Sequence, residues 1–175
     1  MLRTQFVALA LTATVLVTSG CGSSKTDSKT AATATSSTAI TPVRLAAGKP
    51  LTRAQLIAQA DAICATTIAK LAAISPRTTP EVVRSLPQAA IYLGSEAEGL
   101  SRLVPPASMV HDWTRIVNDI HFAGEYVTVV SQYFKENRKK AAGPLYAKAN
   151  HLNTQSKEIA KRDGFKRCSH FRLNE

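Results

Sequence analysis

The chain has 175 residues, 22 of them lysine or arginine against 12 aspartate or glutamate, for a net charge of +10 at neutral pH. That balance favours anionic partners. Three cysteines do not make a disulfide-dense miniprotein, and no Glu-x-x-His, Gly-x-Ser-x-Gly or Cys-x-x-Cys sequence occurs, so the carboxylate-bridged metal bundle, the serine-hydrolase elbow and the dithiol redox site all lack their signatures.

Phe6 to Val17 is a run of apolar or small residues behind Arg3 and ahead of Thr18-Ser19-Gly20-Cys21. The run is short for a bilayer span, a positive charge precedes it and small residues follow it, which is the layout of an export signal. It resembles a bacterial lipoprotein signal, with Cys21 at the position that receives the diacylglyceryl group; Thr18 departs from the leucine usual three places before the cut. The expected organisation is a lipoprotein signal peptide over 1–20, a lipidated, disordered Ser/Thr/Ala-rich tether over 21–50 and a helical domain over 51–175. Ordinary secretion after cleavage near Gly20 is the alternative, and it leaves Cys21 as a free thiol. Within the tether Ile40, Val43 and Leu45 are the large apolar residues, too few to offset chain entropy by burial.

Four helices follow from periodicity. Thr52-Arg53-Ala54-Gln55 reads as a capping box, and Leu56, Ile57, Ala60, Ile63, Cys64, Thr67, Ile68, Leu71 and Ile74 continue at spacings of three and four. Thr79-Pro80-Glu81 starts a second helix, which Pro87 is expected to kink or divide before Leu103-Val104-Pro105-Pro106 closes it. A third and longest helix begins near Ser108 and shows one apolar face from Met109 to Phe134, where Gly124 either weakens it or lets a neighbour approach. Gly143-Pro144 marks the next turn, and a more polar fourth helix runs from Leu145 to Asp163-Gly164. The fold class is all-α: a four-helix-bundle-like single domain, with short connections that make neighbours antiparallel.

If Cys21 is acylated, Cys64 and Cys168 remain as one pair in an oxidising compartment, and a bridge between them ties the first helix to the end of the last. Two reduced thiols used in redox chemistry are the weaker alternative. Ala60-Asp61-Ala62-Ile63-Cys64, Leu103-x-Pro105-Pro106 and Gly164-Phe165 shortly before Cys168 resemble a loose group of uncharacterised actinobacterial secreted proteins and lipoproteins with small helical domains. That resemblance spans about Leu51 to Cys168 and implies helices and a bridge, without an activity.

Among candidate sites, His121 and Glu125 lie one helical turn apart with Asp119 near, a surface pair rather than a metal set. Asp61 is expected to form a salt bridge with Lys166 or Arg167. Trp113, Tyr126, Tyr133, Phe134 and Tyr146 fall at helical spacing and read as core. Eleven basic residues lie between Lys135 and Arg172 against three acids. Lys139, Lys140, Lys161, Arg162, Lys166 and Arg167 are therefore the candidate basic face, with anionic lipid, wall polymer or an acidic envelope protein as partner. No catalytic residue, metal or cofactor is assigned, and the functional expectation is a membrane-anchored binding module at the extracytoplasmic face. The alternatives are a metal-dependent or hydrolytic enzyme using His121 and Glu125, and a small-ligand binder.

Overall fold

The structure, a computed structural model, describes residues 40–74, 76 and 78–170. The expected signal peptide, Cys21 as the expected acceptor of lipid, the first part of the expected tether and Arg172 lie outside the described residues. Among the described residues stand four helices and no strand: α1 (Arg53–Ala73), α2 (Thr79–Ser101), α3 (Val110–Lys135) and α4 (Lys139–Arg162), with short 3-10 turns at Ala107–Met109 and Cys168–His170.

The capping box forms as read from the sequence: Thr52 Oγ1 accepts from the Gln55 backbone N–H at 3.2 Å, and the Thr52 N–H donates to Gln55 Oε1 at 3.0 Å. In α2 the cap is Thr78, one residue earlier than expected, and its N–H donates to the Glu81 carboxylate at 3.0 Å. Pro87 does not divide α2. It leaves the Val83 carbonyl without its helical donor, a cost of ~3 kcal/mol in an isolated helix, which the burial of Leu86, Ala89 and Ala90 around it offsets.

The expected turn at Gly143-Pro144 is not there. The chain reverses at Glu136-Asn137-Arg138, where the Arg138 N–H donates to the Tyr133 carbonyl at 2.7 Å and the Asn137 N–H to the Phe134 carbonyl at 3.1 Å. This paired closure ends a helix when one residue adopts the left-handed region, and Asn137, at φ 57°, supplies it. Gly143 and Pro144 sit inside α4, which carries on because Ala142 and Ala149 are buried on either side of them.

Neighbouring helices run antiparallel. Lys70 lies over the Tyr92 ring and Ile63 against Gly99 between α1 and α2, and Lys148 lies over Tyr126 between α4 and α3. α3 is the central element, packed on α2 and α4. Trp113, Ile116, Val117, Val127 and Val130 of α3 are almost fully buried. Gly124 permits the close approach: a Cβ there would stand 3.1 Å from Leu93 Cβ and 3.6 Å from the Ala90 carbonyl oxygen.

α1 buries Leu56, Ala60, Cys64 and Thr67. By length and composition it is also apolar enough to cross a membrane, a test that core helices pass too. Its outward side carries alanines, Ala54, Ala58, Ala62, Ala69, Ala72 and Ala73, at exposed positions.

The tether assignment is corrected at its C-terminal end. Residues 40–51 form an extended strap whose Val43, Leu45 and Leu51 pack against the core. Its backbone is tied down by Val43 N–H to Asn118 Oδ1 at 2.8 Å, Ala46 N–H to the Ser101 carbonyl at 2.8 Å and Leu51 N–H to the Val104 carbonyl at 2.9 Å. Three apolar side chains are too few to form a core of their own but enough to finish one already built, and composition does not separate those cases.

Candidate functional site

The C-terminal segment is held by a covalent bond and a carboxylate from the same helix. Cys64 is bridged to Cys168 across 104 residues, with Cα atoms 5.1 Å apart. One turn earlier, Asp61 accepts three consecutive backbone N–H groups: Lys166 at 2.9 Å on Oδ2, and Arg167 at 2.7 Å and Cys168 at 3.2 Å on Oδ1. This corrects the expected salt bridge. The turn leading into Cys168–His170 points three otherwise orphaned donors the same way, and a carboxylate on the facing helix satisfies them at short range. Arg53 adds a third tie by donating to the Asp163 carbonyl at 3.0 Å.

α4 ends as its sequence suggests, with Gly164 at φ 88°. The Phe165 N–H donates to the Ala160 carbonyl at 2.9 Å, and the Phe165 ring stacks on Trp113 with centroids 5.6 Å apart. This turn aims 166–168 back at α1.

The six candidate basic residues do not make one face. Lys139 and Lys140 open α4 while Lys161 and Arg162 close it, so Lys140 and Lys161 are separated by ~31 Å at 1.5 Å per residue. At the closing end Arg162 Nη2 donates to Asp112 Oδ2 at 2.5 Å, and its Nε lies 3.5 Å from Asp163 Oδ1. Asp112 is held below the usual carboxylate range by its hydrogen bond with His111 and then by Arg162, while Asp112 raises Arg162. Arg162 is thus a tie between α4 and the start of α3. The Arg102 side chain pairs with Glu98. Lys161, Lys166 and Arg167 remain exposed.

At the opposite end, where α3 turns into α4, Lys135, Lys139 and Lys140 are exposed and the first turn of α4 carries no acid. Glu136 is engaged by Gln132 at 2.9 Å and by Arg138 at 3.2 Å, and those two hydrogen bonds hold its pKa down. The Arg138 guanidinium also stacks over Tyr133 at 4.2 Å.

On α3, Asp119 does not join the half-buried His121 and Glu125, which lie one turn apart on another side of the helix. Asp119 is buried and its Oδ2 accepts no hydrogen bond, with Arg115 Nε 3.8 Å away; burial raises its pKa against the pull of Arg115 and His151. His121, two residues on, projects from the other side of the helix and packs its ring against Phe122. Among the described residues no group of three His, Cys, Asp or Glu side chains could hold a metal ion. Of the aromatics, Trp113 is core, and Tyr126, Tyr133, Phe134 and Tyr146 are partly buried against it.

Sequence reasoning missed Glu96. It is 2% exposed on α2, its Oε2 has no hydrogen-bond partner, and burial pushes its pKa up to about 8 against the opposing hydrogen bond of the Thr67 side chain. Its place between Leu93 and Leu100 on the buried stripe was the available signal.

No protein-family model matches the chain, and no curated protein and no solved structure matches it.

Proposed function

We propose that this is an exported, lipid-anchored protein that binds polyanionic envelope surfaces, phosphate-bearing lipid above all, through cations at the ends of its helical bundle. The supporting observation is that Lys135, Lys139 and Lys140 at one end, and Lys161, Lys166 and Arg167 at the other, are exposed. Among the described residues none of the six pairs with an acid. Export and anchoring at the extracytoplasmic face rest on the lipoprotein-like signal and on cysteine parity: the Cys64–Cys168 bridge leaves Cys21 as the odd cysteine, and disulfides persist in oxidising compartments. No enzymatic step is proposed, and no observation favours a metal-dependent or hydrolytic site at His121 and Glu125.

The test is cosedimentation of the chain from residue 21 onward, carrying Cys21→Ser so that no acyl group contributes, with phosphatidylglycerol-containing and pure phosphatidylcholine vesicles. Binding is expected for the anionic vesicles alone and should weaken with salt. Each neutralised cation should weaken it roughly fivefold, the equivalent of ~1 kcal/mol per basic residue at an anionic surface. Lys139, Lys140, Lys161, Lys166 and Arg167 are changed to Gln for this purpose; Arg162 is left, because replacing it would also break its tie to Asp112. Binding indifferent to all five substitutions would remove the cationic ends from the account.

A further inference from the structure

The arrangement of α4 deepens this reading and rests on it. Each end of the bundle has its own exposed lysines, and ~31 Å between Lys140 and Lys161 is several times the ~8 Å screening length at physiological salt. The two ends are therefore electrostatically independent. Between them the exposed side of α4 presents Gly143, Pro144, Ala147, His151, Thr154 and Glu158, with Lys148 as its one exposed lysine. Lys148 is drawn over the Tyr126 ring at 4.8 Å. A single surface lying along α4 would meet grouped cations at its two extremities and, between them, only Lys148, already drawn over a ring, and the half-buried Lys157 beside Glu158. A surface meeting one end meets cations with no acidic partner.

The span between the ends is also fixed. α4 is unbroken from Lys139 to Arg162, and Asp61 with the Cys64–Cys168 bridge holds the backbone of Lys166 and Arg167 against α1. We propose that the two ends are separate binding sites for anionic lipid surfaces, so that one molecule bridges two such surfaces.

The experiment is vesicle clustering followed by light scattering, with the same Cys21→Ser chain, phosphatidylglycerol-containing vesicles and a parallel cosedimentation assay. The unsubstituted chain should cluster anionic vesicles at low ionic strength, leave phosphatidylcholine vesicles dispersed and release the clusters when salt is added. Lys139→Gln with Lys140→Gln, and separately Lys161→Gln with Lys166→Gln and Arg167→Gln, should each still bind in cosedimentation while clustering falls on the order of tenfold, because avidity from the second contact is lost. Binding without clustering by the unsubstituted chain overturns the bridge and indicates a molecule lying on one surface. Loss of clustering confined to one variant also overturns it, since that pattern belongs to a one-ended binder that self-associates. Absence of any binding overturns the polyanion reading itself, which the cosedimentation arm records separately.

Discussion

Glu96 has no counter-charge: burial and the Thr67 hydrogen bond alone account for its shift. Because its folded pKa of about 8 lies above the ordinary 4.5, the folded chain keeps a proton that the unfolded chain releases. The stability this confers is complete below about pH 4.5 and is lost as pH rises through 8, by up to about 5 kcal/mol over that window. Asp112 and Glu136, whose pKa values are lowered, act oppositely, and their contribution disappears as pH falls. The informative quantity is therefore the difference between the parent chain and Glu96→Gln, which cannot ionise. In urea titrations from pH 5 to 8.5 the parent should lose stability steeply while the variant stays nearly level; equal slopes would show that folding leaves the Glu96 pKa at its ordinary value. Asp61 makes a second residue-level prediction. Asp61→Ala strands three backbone N–H groups and should cost about 2–3 kcal/mol in chemical denaturation, whereas Asp61→Asn, which keeps one acceptor oxygen, should cost less. For Asp61 the sequence pointed to the right residues, Lys166 and Arg167, but to their charged side chains rather than to the backbone N–H groups that the turn presents. For Glu96 the position on the stripe was the one signal, with nothing in it to identify Thr67.

For whole elements, helix periodicity was the dependable signal and punctuation the undependable one. The capping box of α1, the long stripe of α3 and the Gly164 ending of α4 follow from local chemistry that tertiary packing reinforces. Gly143-Pro144 was misread because a glycine-proline pair ordinarily breaks a helix, while Asn137, a less usual residue for a left-handed closure, did the breaking. The strap over 40–51 escaped notice because nothing within the segment records the groove that receives it. Gly124 tests the packing of α2 on α3: Gly124→Val should gain helix propensity yet lower stability by about 1–3 kcal/mol through its clash with Leu93 and the α2 backbone. A thermal melt at or above that of the parent would show that the two helices separate without loss.

Across the molecule, cysteine parity foretold the bridge, while charge counting foretold composition but not placement. The basic residues from Lys135 onward read as one cluster because they are close in sequence; a helix of 24 residues lies among them and carries the two groups to opposite ends. Cys64→Ser or Cys168→Ser should cost about 3–5 kcal/mol, lowering the melting temperature by roughly 10–20 °C, and should leave the partner as a thiol that alkylation counts once the chain is unfolded without reductant. A melting temperature unchanged by either substitution would contradict the bridge as a major support.

The same bridge decides how tension would travel through the chain. A pull applied between the two termini passes from residue 64 to residue 168 through the sulfur atoms, so the 104-residue interval between them bears no load while the bond is intact. The strap and the part of α1 before Cys64 are the structured segments that can be drawn out, and α2, α3 and α4 stay slack. Reduction would add roughly 350 Å of extensible contour at ~3.4 Å per residue, a step that single-molecule stretching with and without reductant would read directly. The bundle is in effect a knot on a line: tension that draws out α1 up to Cys64 removes Arg53 and Asp61 from the turn after α4, while the sulfur bond still keeps α2, α3 and α4 out of the load path.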